Sequence, residues 1–179
     1  MVPVPWKYVN SWICNGCGIC CKEYEVVLKF EEWLNIIRAY GVNTTKAGLN
    51  KFFLGKKNDG TCLFLCRSSF GWLCSLQNMK PAACKIWPFK IAARPLYGRP
   101  KESSYDYRGK KVYVYVDPFC PQIRWGQPGS KMVYNIIPEF IEIALGSRRK
   151  QMYSTSSVLD GTALARAYLT NTKDRYRLI

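Results

Sequence analysis

The chain of 179 residues is 48% apolar and 15% aromatic, which suffices for one buried core and lies far above compositions that stay disordered. No window approaches the roughly 18 uncharged apolar residues of a membrane helix. The start carries Pro3 and Pro5 and no apolar h-region, so neither a span nor a secretory leader is expected, and a reducing cytoplasmic location follows. There is no histidine, which excludes Ser-His-Asp and Cys-His nucleophilic sites, HExxH zinc peptidases and imidazole proton relays.

Residues 1–13 read as an irregular apolar lead-in with Trp6, Tyr8, Trp12 and Ile13. The run Cys14-Asn-Gly-Cys17-Gly-Ile-Cys20-Cys21 follows, with Gly16 and Gly18 permitting tight turns. Tyr24–Phe30 predicts a short strand. Glu31–Tyr40 predicts a helix burying Leu34, Ile37 and Trp33, with Glu31 and Glu32 in its first turn and Gly41 just past its end. A solvated helix start explains these two glutamates better than a catalytic pair does. A second helix is expected over Lys46–Leu54. Asp59–Phe89 is cysteine-rich, with loops marked by Gly60, Gly71, Pro81 and Pro88. Lys110–Asp117 is the clearest strand, with Val112, Val114 and Val116 opposite Tyr113 and Tyr115. Ser130–Leu145 has helical periodicity, interrupted or started by Pro138. After Gly146 the chain turns polar and basic, with a weak helix over Val158–Leu169. The fold class is α+β: a small irregular cysteine-rich domain, residues 1–146, organised by metal centres, with a basic C-terminal extension, residues 147–179.

Nine cysteines in a reducing compartment argue against a disulfide framework. The count is odd, and bridging neighbours such as Cys20 and Cys21 strains the intervening peptide. C-x2-C-x2-C spacing lets one loop give three thiolates to a [4Fe–4S] cluster, with a distant Cys-Pro as fourth ligand, a part Cys120-Pro121 fits. A C-x2-C knuckle equally supplies half of a four-cysteine zinc site. The spacing therefore points to metal without choosing between zinc and iron–sulfur. With no histidine, ligation must be all-thiolate or thiolate with carboxylate. The radical-SAM spacing C-x3-C-x2-C is absent, since Cys62-x3-Cys66 is followed only at Cys74.

These residues resemble the CxxCxxCC cysteine-cluster family (YkgJ-like), described as zinc- or iron-chelating. Its opening cluster corresponds to Cys14, Cys17, Cys20 and Cys21, and its second block to Cys62-Leu63-Phe64-Leu65. Its third block is similar to Cys74…Lys80-Pro81-Ala82-Ala83-Cys84-Lys85-Ile86-Trp87-Pro88, and its late Cys-Pro to Cys120-Pro121. Lys80 stands where arginine is usual. Cys66 and the segment after Gly146 fall outside the pattern. The resemblance implies eight ligands: Cys14, Cys17, Cys20, Cys21, Cys62, Cys74, Cys84 and Cys120. One partition into two centres groups Cys14, Cys17, Cys20 and Cys120, and separately Cys21, Cys62, Cys74 and Cys84; a single centre with spare thiols is the alternative. Lys22, Arg67 and Lys85 are the cations expected to offset the thiolate charge.

The formal net charge is +15, and two four-thiolate centres would leave it strongly positive. Residues 80–131 carry eleven Lys/Arg against three acids, whereas residues 1–50 carry five against four. Lys85, Lys90, Arg94, Arg99, Lys101, Lys110, Lys111 and Arg124 lie in that basic stretch, interleaved with Trp87, Tyr97, Tyr105, Tyr107, Tyr113, Tyr115 and Trp125. Arg148, Arg149 and Lys150 open the extension. Cations alternating with aromatic rings are what phosphate contacts plus base stacking require, so RNA or a ribonucleoprotein particle such as a ribosome is the expected partner. A solvated basic surface around an ordinary core is the alternative. No glycine-rich nucleotide loop or acid–base set points to a small-molecule substrate. Some flagellin lysine methylases carry a similar cysteine cluster, so the resemblance also leaves room for an enzyme of methyl transfer or redox chemistry.

Overall fold

The computed structural model describes residues 2–68, 71–76 and 79–153. In chain order it contains β1 (Val4–Pro5), β2 (Val9–Trp12), α1 (Ile19–Glu23), β3 (Val27–Leu28), α2 (Phe30–Tyr40), β4 (Thr45–Ala47), β5 (Phe52–Leu54), β6 (Leu65–Ser68) and β7 (Gly71–Cys74). There follow α3 (Ala82–Ile86), β8 (Phe89–Ala92), α4 (Pro100–Ser103), β9 (Ser104–Tyr107), β10 (Lys110–Val116), β11 (Ile123–Trp125) and α5 (Ile137–Ala144). The mix of helix and strand makes the protein α+β. These residues form two compact units, one of residues 2–14 and 84–153, the other of residues 15–83. The expected helix over Val158–Leu169 lies outside the described residues.

The first unit is organised by β10, the strand whose alternation is plainest in the sequence. It pairs antiparallel with β1 (Val4 opposite Val116), with β8 (Val114 opposite Ile91) and with β9 (Val112 opposite Tyr105). The β9–β10 hairpin turns through Arg108 and Gly109 at φ +49° and +75°, the positive values a tight hairpin turn demands. Val114 and Val116 are fully buried. They share one apolar core with Val9, Trp12, Phe89, Ile137, Phe140 and Ile141. The Trp12 ring meets Phe89 and Phe140 edge-on, both at 5.4 Å between centroids. Tyr115, on the opposite face of β10, is buried as well, its hydroxyl donating to the Gly98 carbonyl at 2.9 Å. A second, two-stranded sheet joins β2 to β11.

The helix expected over 130–145 forms, but Met132–Ile136 winds as a π-turn before α5 continues. Pro138 supplies the reason. It has no N–H for the carbonyl four residues back and its ring crowds that carbonyl, a conflict that a wider turn relieves. Glu139 is buried on α5, and its Oε1 accepts the backbone N–H groups of Met152 at 2.7 Å and Tyr153 at 3.3 Å. Residues 147–153 are thereby held against the helix.

The second unit departs further from expectation. No helix forms over Lys46–Leu54; β4 and β5 make a hairpin there, and β3 extends it to three strands. Thr45, Phe52 and Phe53 favour extended backbone, while Gly48 turns the chain, its N–H donating to the Lys51 carbonyl at 2.8 Å. The strand expected over Tyr24–Phe30 shrinks to Val27–Leu28 because α2 begins at Phe30. Glu32 fixes that start by accepting the Lys29 N–H at 2.9 Å. Trp33, Leu34 and Ile37, expected on the buried face of α2, are half-buried; the fully buried residue of this helix is Ile36, which was not expected there. Among the described residues, no helix is long and apolar enough to cross a membrane.

Candidate metal centre

In the second unit the cysteine loop is shaped by glycine. Gly18 sits at φ +74° as the residue before α1, and a Cβ there would lie 2.9 Å from the Trp72 ring. The loop is pinned to β7 by the Trp72 N–H, which donates to the Gly16 carbonyl at 2.9 Å. Only glycine satisfies both the left-handed backbone and the ring against it. Cys17 lies in this loop, and α1 presents Cys20 and Cys21.

A chain of backbone bonds then gathers the distant cysteines. The Cys62 N–H donates to the Cys21 carbonyl at 2.8 Å, and the Leu65 N–H donates to the Cys62 carbonyl at 3.0 Å. Leu65 on β6 pairs directly with Cys74 on β7. Cys20, Cys21, Cys62 and Cys74 therefore occupy touching backbone segments. Cys66 pairs with Leu73, one residue out of step, so its side chain leaves the opposite face of the hairpin from Cys74. Its thiol donates to the Leu73 carbonyl at 3.4 Å.

The sulfurs of Cys20 and Cys21 lie 3.9 Å apart. Metal–sulfur bonds of about 2.3 Å in a tetrahedron put neighbouring sulfurs roughly 3.8 Å apart, so this pair has the spacing of two ligands on one ion. The two thiols share their protons unequally. The hydrogen bond from Cys21 brings the Cys20 thiol down to about 7, with Lys80 adding a favourable charge. Cys21 is pushed up, first because it donates that bond and then by burial. Burial also raises Cys62, and takes Cys74 to about 11. Thiols that resist ionisation in this setting become thiolates readily once a cation supplies the missing charge. Lys80, in the position where the sequence departs from arginine, is itself buried and lowers both Cys20 and Cys74.

The donor chemistry, four soft sulfurs beside a buried ammonium, fits zinc or an iron–sulfur core. As the side chains stand, no three metal-ligating groups among the described residues are gathered as an ion site. Of the cations expected near the centre, Lys22 and Arg67 hold the Trp72 ring at 4.9 and 5.9 Å.

The first unit carries the other family-matching cysteines. Cys120 is buried and accepts the Trp12 indole N–H at 3.3 Å. Cys14 packs against the same core, and Cys84 lies on α3. Each of the two sets expected from the resemblance thus draws on both units.

The residues expected to meet RNA are placed as follows. Arg94, Arg99, Lys101, Lys110, Lys111, Arg124, Arg149 and Lys150 are exposed. Lys90 approaches Asp117 at 3.8 Å. Lys85 is half-buried, its carbonyl accepting the Gln151 amide at 2.6 Å. Arg148 is turned inward, 3.1 Å from Glu142 and 3.6 Å from Glu139. Sequence reasoning read Glu32 as part of a solvated helix start and missed that its second oxygen accepts the Ala82 N–H at 2.7 Å and so ties α2 to the start of α3. It also overlooked the Trp12–Cys120 bond. Neither leaves a local signal, because each pairs residues distant in the chain.

Fold and site define a small α+β cysteine-cluster protein. The chain belongs to the CxxCxxCC family, "Putative zinc- or iron-chelating domain", which it matches over residues 13–121. No curated protein and no solved structure matches it.

Proposed function

We propose that the protein is a metal-stabilised, non-catalytic binding module whose second unit closes around one zinc or iron–sulfur centre held by Cys20, Cys21, Cys62 and Cys74. The observation that carries this reading is the 3.9 Å spacing of the Cys20 and Cys21 sulfurs on a backbone bonded directly to Cys62 and, through Leu65, to Cys74. When bound, the metal supplies the positive charge that draws the protons from four thiols. The chain's residues do the rest: Gly18 and Trp72 fix the loop, and Lys80 offsets the net negative charge of four thiolates. Anaerobic purification followed by metal analysis and an absorption spectrum tests this. The expected result is one centre in the second unit, lost in Cys62→Ser and Cys74→Ser and kept in Cys66→Ser. Full metal content in the first two variants would refute the ligand set.

The partner we propose is RNA, in a ribonucleoprotein particle, met through the exposed cations of the first unit. What supports it is the exposure of Arg94, Arg99, Lys101, Lys110, Lys111 and Arg124 on one unit, with net positive charge far above what the thiolates could neutralise. Arg148 has its charge engaged by Glu139 and Glu142, so the proposal rests on the remaining cations. Binding should weaken steeply with salt, by about one unit of log–log slope per phosphate contact. Co-sedimentation of the full chain with RNA particles over a salt series tests this, and salt-insensitive recovery or none would end it in favour of the methyl-transfer or redox alternative.

A further inference from the structure

We infer that the first unit carries a track for single-stranded nucleic acid, built by Tyr97, Tyr8 and Trp125 with the cations Lys90, Arg99 and Arg124. The inference rests on the RNA reading above and adds which form of nucleic acid is taken and which rings take it.

The three rings are continuous with one another through the backbone. The Lys90 ammonium lies 5.5 Å from the centre of the Tyr97 ring, and the Arg99 guanidinium 5.4 Å from the centre of the Tyr8 ring. Gly98 is the one residue between Tyr97 and Arg99. The Tyr8 carbonyl accepts the Gly126 N–H at 2.9 Å, which places Trp125, opposite Val9, next to Tyr8, with Arg124 opposite Ser11 further along the strand. Tyr97, Tyr8 and Trp125 remain 37%, 38% and 51% exposed. Each ring thus keeps part of its surface in solvent, Tyr97 and Tyr8 beside a cation and Trp125 as the most open of the three.

Two backbone features show that this arrangement is built against local preference. Arg99 is held at φ +49°, a left-handed conformation that an arginine enters only at a cost. Its carbonyl is used at once by Ser103, which donates to it from both its N–H and its hydroxyl, while the side chain stays out over Tyr8. Between Arg124 and Trp125 the register of β11 against β2 slips, and such an irregularity re-aims the following side chain. The first departure falls on a cation that lies over a ring, the second between a cation and the exposed Trp125. Arg108, also at positive φ, needs no such explanation, because it occupies a hairpin turn and pairs with Glu142 at 3.2 Å.

The chemistry favours a single strand. Bases in a duplex are stacked on each other and present only edges, whereas unstacked bases lay their faces on exposed rings and let neighbouring cations meet the phosphates. The shared chemistry fits RNA or DNA.

The test uses the full, metal-loaded chain and fluorescence anisotropy with a labelled unstructured 12-nucleotide RNA, the same RNA as a duplex, and the matching single-stranded DNA. The single-stranded RNA should bind at least about tenfold tighter than the duplex. Tyr8→Ala and Trp125→Ala should each lose roughly fivefold or more on the single strand, the lower end of base-stacking effects, and little on the duplex. Arg99→Gly separates binding from folding: it relieves the strained backbone, so thermal stability should hold or rise while single-strand affinity falls. Equal affinity for duplex and single strand, with ring variants silent and Lys110→Ala or Lys111→Ala weakening both, would overturn the track while leaving the RNA reading intact. No salt-dependent binding to either RNA would remove both. Tighter binding to DNA than to RNA would keep the track and overturn the RNA reading.

Discussion

The interiors of the two units are filled differently. Among the described residues, Ile36 and Leu76 are the members of residues 15–83 in the set of largest fully buried side chains; Trp12, Tyr115, Phe89, Phe140, Met132, Ile136, Ile137, Ile141, Glu139 and Val9 belong to the first unit. The first unit has a central strand, a covering helix and interlocked aromatic rings. The second has short strands, a glycine-shaped loop, and cysteines at several of its buried positions. A unit that small, with few large side chains fully buried, is of the kind that disulfides or metals commonly staple. Cys62, Cys66 and Cys74 are among its buried residues, and on our proposal a metal centre adds to packing as a source of cohesion there.

Metal removal breaks the comparison open most widely. Structural zinc contributes about 10–16 kcal/mol, more than the roughly 5–15 kcal/mol net stability of an ordinary domain. Calorimetry with a strong chelator should therefore abolish the transition of the second unit and leave that of the first. A single unchanged transition would show that the second unit coheres without metal. The converse is Phe140→Ala, which should cost about 3–5 kcal/mol in urea titrations and do so equally with metal present or absent.

A smaller effect sharpens the picture at Gly18. Alanine there meets both the left-handed backbone and the Trp72 ring, and should cost about 1–3 kcal/mol while weakening metal retention; chelator competition reads the second effect. The smallest concerns pH. The Tyr107 hydroxyl, then Arg148, hold the Glu142 carboxyl below its ordinary range. Its contribution is therefore present above that ordinary range and is lost as pH falls through the depressed value. Glu142→Gln should flatten the acid limb of the stability curve by less than about 1 kcal/mol, as suits a solvent-screened pair. A steeper acid limb would contradict the sign.

Legibility followed the same divide. β10 and α2 were readable because period-2 and period-3.6 patterns are written in adjacent residues. The 46–54 hairpin was not, since Lys46, Ala47 and Leu49 suit a helix and only pairing with β3 and β5 overrides them. The cysteine motif announced metal, and Cys66 stood apart because it broke the family pattern. Cys21, Cys62 and Cys74 were grouped from the sequence together with Cys84; our proposal puts Cys20 in place of Cys84 on backbone bonds between segments some forty residues apart, which leave no local signal. Arg148, expected at phosphate, lies 3.1 Å from Glu142 and 3.6 Å from Glu139, a pairing that the sequence does not announce. A charge count cannot distinguish a cation that faces solvent from one already paired.

The central claim is that four thiolates of the second unit share one centre. X-ray absorption at the metal edge of the anaerobically purified protein tests it most directly. The expected result is a shell of sulfur alone at about 2.3 Å, degraded in Cys62→Ser and in Cys74→Ser and untouched in Cys66→Ser. A shell of oxygen or nitrogen, or a sulfur shell indifferent to Cys62 and Cys74, would contradict it.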